Sequence, residues 1–203
     1  MTYPQVLSHT SLPYLKRQPF YYGAKYMGDL LQGVQLCDEL IKEAVIYKIQ
    51  EIADANKVNV YMVPVMQREG YCFNMIPLAY AMCLRKFLGF PIVKSIQRIS
   101  GKPNTSKSLA ERKQNSLSFG GLIPEKGVCY VLVDDHFTTG ATLRELANHI
   151  IRQGGEILAV TALSCGRFGR SFIHTYQGQF IGMTGVEYQA LRLYNKNFKP
   201  GIP

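Results

Sequence analysis

Asp134 and Asp135 follow directly on the apolar run Val128-Cys-Tyr-Val-Leu-Val133, and Thr138-Thr-Gly-Ala-Thr142 comes shortly after them. Two carboxylates at the carboxyl end of a strand can accept hydrogen bonds from a pair of vicinal hydroxyls. A loop of small and hydroxylated residues that opens a helix turns its backbone N–H groups towards an anion. Gly140 permits close backbone approach, and Thr138, Thr139 and Thr142 add hydroxyl donors. This combination suits a ligand carrying a diol and a phosphate close together. The plainer alternative is that Asp135 or Thr138 caps the helix and Gly140 makes a turn. The coincidence of adjacent acids, a strand before them and a helix after them favours the ligand site.

The elements that must position these residues are legible as periodicities. Leu143, Leu146, Ala147, Ile150 and Ile151 recur at helical spacing, with Gly154-Gly155 as a stop. Val58–Val65, Pro91–Arg98, Val128–Val133 and Glu156–Leu163 read as strands. Leu30 to Ile52 reads as one amphipathic helix, and a second begins near Asn74 and ends at Gly89. Strands alternating with helices imply a parallel α/β sheet whose ligands sit beyond the carboxyl ends of the strands. Ile99 to Gly127 has no strong periodicity and holds Lys102, Lys107, Arg112 and Lys113. The first ~25 residues and the tail from Leu193 read as peripheral arms that fray.

Asp134-Asp135 beside Thr138-Thr139-Gly140 resembles the phosphoribosyl pyrophosphate (PRPP) motif of type I phosphoribosyltransferases. The similarity covers Val58 to Arg167. Val63-Pro-Val-Met-Gln-Arg-Glu-Gly-Tyr-Cys-Phe-Asn74, Arg98, Glu111-Arg112-Lys-Gln-Asn115 and Phe119 follow the order seen in ComF-type phosphoribosyltransferases. The zinc-binding cysteines of that group have no counterpart, and Tyr71-Cys72 replaces its Arg-Gly.

The resemblance implies a Rossmann-type parallel sheet flanked by helices, with a small variable hood. Residues 1–56 would form an N-terminal arm and amphipathic helix, 57–167 the core, and 168–203 the hood segment and tail. It further implies a pentosyltransferase that binds PRPP and Mg²⁺ and transfers phosphoribose to an unidentified acceptor of the nitrogenous-base type, releasing pyrophosphate. In such a protein Asp134 and Asp135 hold the ribose hydroxyls. Thr138, Thr139, Gly140, Ala141 and Thr142 wrap the 5-phosphate, and Arg68 and Gly70 contact pyrophosphate. Arg112 and Lys107, on the basic loop, join Asp135 as the catalytic set. Mg²⁺ arrives through PRPP and water, without direct protein ligands. His136 is a further candidate as general base. The alternative is a non-catalytic regulator that senses PRPP in the same pocket and binds nucleic acid or a protein partner. A homodimer remains open.

Lys and Arg outnumber Asp and Glu by 23 to 14, a net charge of +9 that attracts anions without choosing among them. Tyr14, Lys16, Arg17, Phe20, Tyr21, Tyr22, Lys25 and Tyr26 interleave aromatics with cations. Such an arm could stack bases and contact phosphates, or pack on the domain. Five cysteines without a Cys-x-x-Cys pair argue against a disulfide framework or zinc, and Cys83 and Cys129 read as small buried apolar side chains. No run approaches the ~20 apolar residues of a membrane span. The N-terminus lacks the pattern of a secretory signal, so a cytoplasmic location is expected.

Overall fold

The computed structural model describes residues 6–56, 58–100, 117–138, 140–166, 173–176 and 179–182. The chain opens with strand β1 (Val6–Ser11) and four helices, α1 (Leu12–Lys16), α2 (Tyr21–Tyr26), α3 (Leu30–Leu40) and α4 (Glu43–Asn56). Strand β2 (Val60–Pro64), a hairpin of β3 (Arg68–Glu69) and β4 (Cys72–Phe73), and helix α5 (Ile76–Leu88) follow. Then come the antiparallel pair β5 (Gln97–Ser100) and β6 (Ser118–Gly120), strand β7 (Cys129–Phe137), helix α6 (Ala141–Arg152) and strand β8 (Glu156–Cys165). Ile173–Tyr176 (β9) and Gln179–Gly182 (β10) pair antiparallel.

Four strands form a parallel sheet in the order β1-β8-β7-β2. Its centre is buried on both faces, as a sheet covered by helices on two sides requires. Along β7 the alternation is clean. Cys129, Val131 and Val133 join the core that includes α3 and α5, whereas Tyr130 and Leu132 join the core under α6. Asp135 continues the parity of Val131 and Val133, so it is delivered to the face where the N-terminal helices pack. The α/β reading therefore holds, with the sheet flanked by helices on both sides.

The first residues depart from the expected peripheral arm. Val6–Ser11 adds to the sheet as its outermost strand among the described residues, with Val6 opposite Val160 and Ser11 opposite Cys165. His9 anchors it. Its Nδ1 accepts the backbone N–H of Lys42 at 2.8 Å. Nδ1 therefore bears no proton in the neutral ring, and Nε2 donates to the Tyr80 hydroxyl at 2.6 Å. The Tyr80 hydroxyl donates to Thr161 Oγ1 at 2.5 Å, and Thr161 donates to the Leu7 carbonyl at 3.2 Å. Every buried donor in this His9–Tyr80–Thr161 relay meets one acceptor, the condition under which a polar network is tolerated in a core.

The same bond corrects the single helix expected over Leu30–Ile52. Continuing α3 would have sent the Lys42 N–H to the carbonyl four residues back, but it goes to His9 instead. Ile41 turns extended at ψ 128° and the chain restarts as α4. The strand expected over Pro91–Arg98 is also shorter than its pattern. Ile92 makes one parallel bridge to Met62, and the regular strand, β5, begins only at Gln97 and pairs with β6 outside the central sheet.

Candidate functional site

Strand β7 runs two turns of the pleat further than its apolar stretch, so Asp134 and Asp135 are buried residues of the strand itself, not part of the loop beyond it. They are 6% and 3% exposed. The Asp135 N–H donates to Asp134 Oδ1 at 2.8 Å. From the opposite side α2 inserts Lys25, whose Nζ lies 2.5 Å from Asp135 Oδ2 and 3.5 Å from Glu69 Oε1. This lysine is 7% exposed, and Glu69, on β3, is 8% exposed.

Burial sets the two acids apart. It pushes both carboxyls upward, and the adjacent charge of Asp135 raises Asp134 further, so Asp134 is held well above the usual carboxylate range. For Asp135 the push from burial is overcome by the charge and hydrogen bond of Lys25, which hold it below that range. Burial opposes the charge on Lys25 in turn, yet Asp135 and Glu69 together keep its ammonium more tightly protonated than a free lysine. Of the two aspartates, then, Asp135 is the ionised acceptor and Asp134 the one that more readily carries a proton. An ionised and a protonated carboxyl side by side can accept from one hydroxyl and exchange bonds with its neighbour.

A relay of polar groups extends from this pair along the loop after β2. Gln67 Nε2 donates to Glu69 Oε1 at 3.0 Å, and Arg98 on β5 donates to Gln67 Oε1 at 2.9 Å. Burial lowers the pKa of Arg98, with Glu69 and Asp134 opposing that effect. With a proton on Asp134, the cations Lys25 and Arg98 balance the anions Asp135 and Glu69. Arg68 and Gly70, the expected pyrophosphate contacts, sit on the adjoining hairpin. Gly70 turns it at φ 70°, and a side chain there would meet open space. Arg68 is exposed, its guanidinium 5.0 Å from the Phe73 ring centroid. Tyr71, at the tip, is fully exposed. At the foot of the hairpin Asn74 is buried, and among the described residues its Nδ2 has no hydrogen-bond partner.

Gly140 makes the turn into α6 at φ 77°, a left-handed conformation that favours glycine, and a Cβ there would lie 3.0 Å from the Phe137 ring. Among the described residues no side chain caps α6, which leaves the opening N–H groups at Ala141 and Thr142 for a ligand. Thr138 is exposed and Thr142 half-buried. Thr139, Lys107 and Arg112 lie outside the described residues, as does most of the hood expected over 168–203. His136 pairs through Nδ1 with Ser164 Oγ at 2.9 Å, while Ser164 donates to the Asp135 carbonyl. Burial lowers the His136 pKa, which favours a neutral ring.

The structure thus brings together Asp134, Asp135, Gly140 and the start of α6, with the Arg68–Gly70 hairpin beside them. It adds four residues that the sequence reading had not placed at this site: Lys25, read as part of an arm that could contact nucleic acid, and Gln67, Glu69 and Arg98, read only as part of the family pattern. The only signal for Lys25 was its helical spacing from Tyr21 and adjacency to Ala24, which places a lysine on an otherwise apolar face.

No family model matches the chain. Among curated proteins it is similar to an uncharacterized protein of Haemophilus influenzae, with 30% identity over 151 residues, which are 74% of this chain and 33% of that one. It is also similar to protein TraN of Escherichia coli, with 28% identity over 163 residues, 80% of this chain and 35% of the other. The chain spans about a third of the length of these relatives. Among solved structures, a purine phosphoribosyltransferase from Pyrococcus horikoshii aligns at 22% identity and TM-score 0.39, covering 59% of this chain and 69% of that one. A hypothetical protein from Neisseria gonorrhoeae with bound ppGpp aligns at 14% identity and TM-score 0.40, covering 71% and 80%.

Proposed function

We propose that this chain binds PRPP with Mg²⁺ and transfers its phosphoribosyl group to a nitrogenous base, releasing pyrophosphate. One observation carries the reading. Two buried aspartates lie near the end of β7, and a left-handed Gly140 then leads into a helix whose first N–H groups no side chain caps among the described residues. Asp135 accepts one ribose hydroxyl and Asp134 the other, while the start of α6 receives the 5-phosphate. The diphosphate then lies towards the Arg68–Gly70 hairpin.

Displacing diphosphate from the anomeric carbon builds positive charge on the sugar and negative charge on the leaving group. Orientation and fixed charges therefore do most of the work, and no protein nucleophile is required. Arg68, together with Lys107 and Arg112 from the basic loop, supplies positive charge towards the leaving group. His136, with Nδ1 committed to Ser164, has Nε2 left to accept a proton. The donor set fits Mg²⁺ carried by the ligand: Asp135 and Glu69 already share the Lys25 ammonium, and a magnesium ion readily keeps phosphate and water oxygens as ligands. When bound, the ion would neutralise charge on the departing diphosphate.

Titration calorimetry with PRPP and Mg²⁺ tests the site, comparing the wild type with Asp134→Asn/Asp135→Asn. Binding by the wild type and a loss of at least about tenfold in the double variant are expected, since hydrogen bonds to a charged acceptor are worth about 1.5–3 kcal/mol. Equal affinity would remove the aspartates from the ribose site. A second reading, a PRPP sensor that engages nucleic acid or a protein, draws on the exposed Tyr14, Tyr22 and Tyr71 and the exposed cations Lys16 and Arg17. Pyrophosphate release assayed across a panel of bases separates the two: binding without turnover favours the sensor.

A further inference from the structure

We infer that Lys25 is a positioning residue of the diol site: it engages one carboxylate oxygen of Asp135, fixes that side chain as an ionised acceptor, and leaves the other oxygen for a ribose hydroxyl. The inference rests on the PRPP reading of the acids. It makes the N-terminal segment part of the donor site.

The geometry is that of a built contact. A lysine ammonium is strongly hydrated and costly to bury unless it is paired. Lys25 is buried all the same, and its two carboxylates come from separate elements, β7 and β3. The helix that carries it is pinned on both sides. The Met75 N–H donates to the Ala24 carbonyl at 3.0 Å, and the Gly23 carbonyl accepts from Met27 and Asp29 at 3.1 Å. The separations are unequal, 2.5 Å to Asp135 against 3.5 Å to Glu69. Asp135 is therefore the partner being positioned. A carboxylate offers about four lone-pair positions on its two oxygens, so one lysine does not exhaust it.

Among the described residues the charged and titratable groups around the pair are few. Asp135 faces Lys25 from α2, with Asp134 and His136 on its own strand. Lys25 faces Asp135, Glu69 from β3 and Tyr21 on its own helix. His136 also feels Lys16 from α1, and Arg98 from β5 acts on Asp134 and Glu69. Lys25 is the cation in direct contact with Asp135 among the described residues. Removing it leaves a buried carboxylate beside a second carboxyl.

The test uses the full chain as wild type, Lys25→Met and Lys25→Arg, with two readouts. The first is the titration midpoint of the Asp135 carboxyl by carbon-13 NMR. In Lys25→Met it should rise by about two pH units, the size expected for losing an adjacent opposite charge in a buried site. The second is calorimetric affinity for PRPP with Mg²⁺. At pH 5 it should fall about tenfold relative to wild type in Lys25→Met, recover as the pH is raised to 7, and return to within about threefold of wild type in Lys25→Arg. An unmoved midpoint with unchanged affinity overturns the inference. So does tighter PRPP binding by Lys25→Met, which would make the lysine a plug. A wild type that does not bind PRPP overturns the donor reading instead, and the carboxyl titration still decides whether Lys25 sets the state of Asp135. Should Lys25→Met fail to fold, the wild-type profile decides. An Asp135 carboxyl that titrates below about 4 by carbon-13 NMR supports the inference, and one that titrates near about 6 overturns it.

Discussion

The anchoring of β1 predicts a specific acid sensitivity. Burial, reinforced by the charge of Lys42, lowers the His9 pKa from 6.5 to about 4. Because the folded value lies below the unfolded one, the folded state binds fewer protons. Stability is intact above about pH 6.5 and is lost as the pH falls towards 4. The full difference is worth about 3 kcal/mol. At pH 5 the unfolded imidazole is almost wholly protonated and the folded one about a tenth protonated, which leaves a loss of about 2 kcal/mol from this residue alone. The structural cause is direct: a second ring proton, on Nδ1, would point at the Lys42 N–H that this nitrogen now accepts. His9→Asn keeps a side-chain acceptor but cannot titrate. Urea unfolding followed by circular dichroism at pH 7.5, 6.5, 5.5 and 5.0 should show the wild type losing about 2 kcal/mol more than His9→Asn over that range. A wild-type-minus-variant difference that stays constant with pH, or a His9 ring that titrates near 6.5 by NMR, would refute the reasoning.

Two glycines carry further predictions. Gly121→Ala places a Cβ 2.0 Å from the Ser95 carbonyl oxygen at φ 101°, and since backbone must move, a destabilisation of about 2–4 kcal/mol is expected. In a chain of this size that is a fall of roughly 5–15 °C in melting temperature, readable by calorimetry. Gly140→Ala should cost about 1–2 kcal/mol of stability through its left-handed backbone and the Phe137 ring. It should also weaken PRPP binding, because the first N–H groups of α6 are re-aimed; unchanged affinity would separate that turn from the phosphate. Arg112→Ala is expected to impair turnover or ligand binding far more than folding, checked by paired kinetics and thermal melts, and unchanged kinetics would remove Arg112 from the mechanism.

The acids of β7 and the start of α6 were readable from sequence because every determinant is local. An apolar strand, two carboxylates, a glycine turn and a strongly periodic helix lie within about 25 consecutive residues, and period and turn chemistry act at that range. Where sequence reading failed, the cause lay far along the chain. The break after α3 comes from His9, 33 residues before Lys42. Lys25 meets Asp135 across 110 residues. In the arm, aromatics interleaved with cations were equally consistent with a nucleic-acid surface, and only the neighbouring Asp135 and Glu69 give the lysine a site. Val6–Ser11 has too few apolar residues to announce a strand, and its pairing with β8 supplies what its own pattern lacks.

That pairing also orders events during synthesis. The first strand finds its parallel neighbour only when Glu156–Cys165 has been made, and Thr161 and Leu7, hydrogen-bonded in the finished protein, are 154 residues apart. Parallel contacts that close so long a loop form slowly. A nascent chain that has already made β7 and α6 would therefore carry its aspartates without their secured lysine. The contact between Lys25 and Asp135 would form late in folding, when β8 captures the N-terminus and brings α2 over the carboxylates.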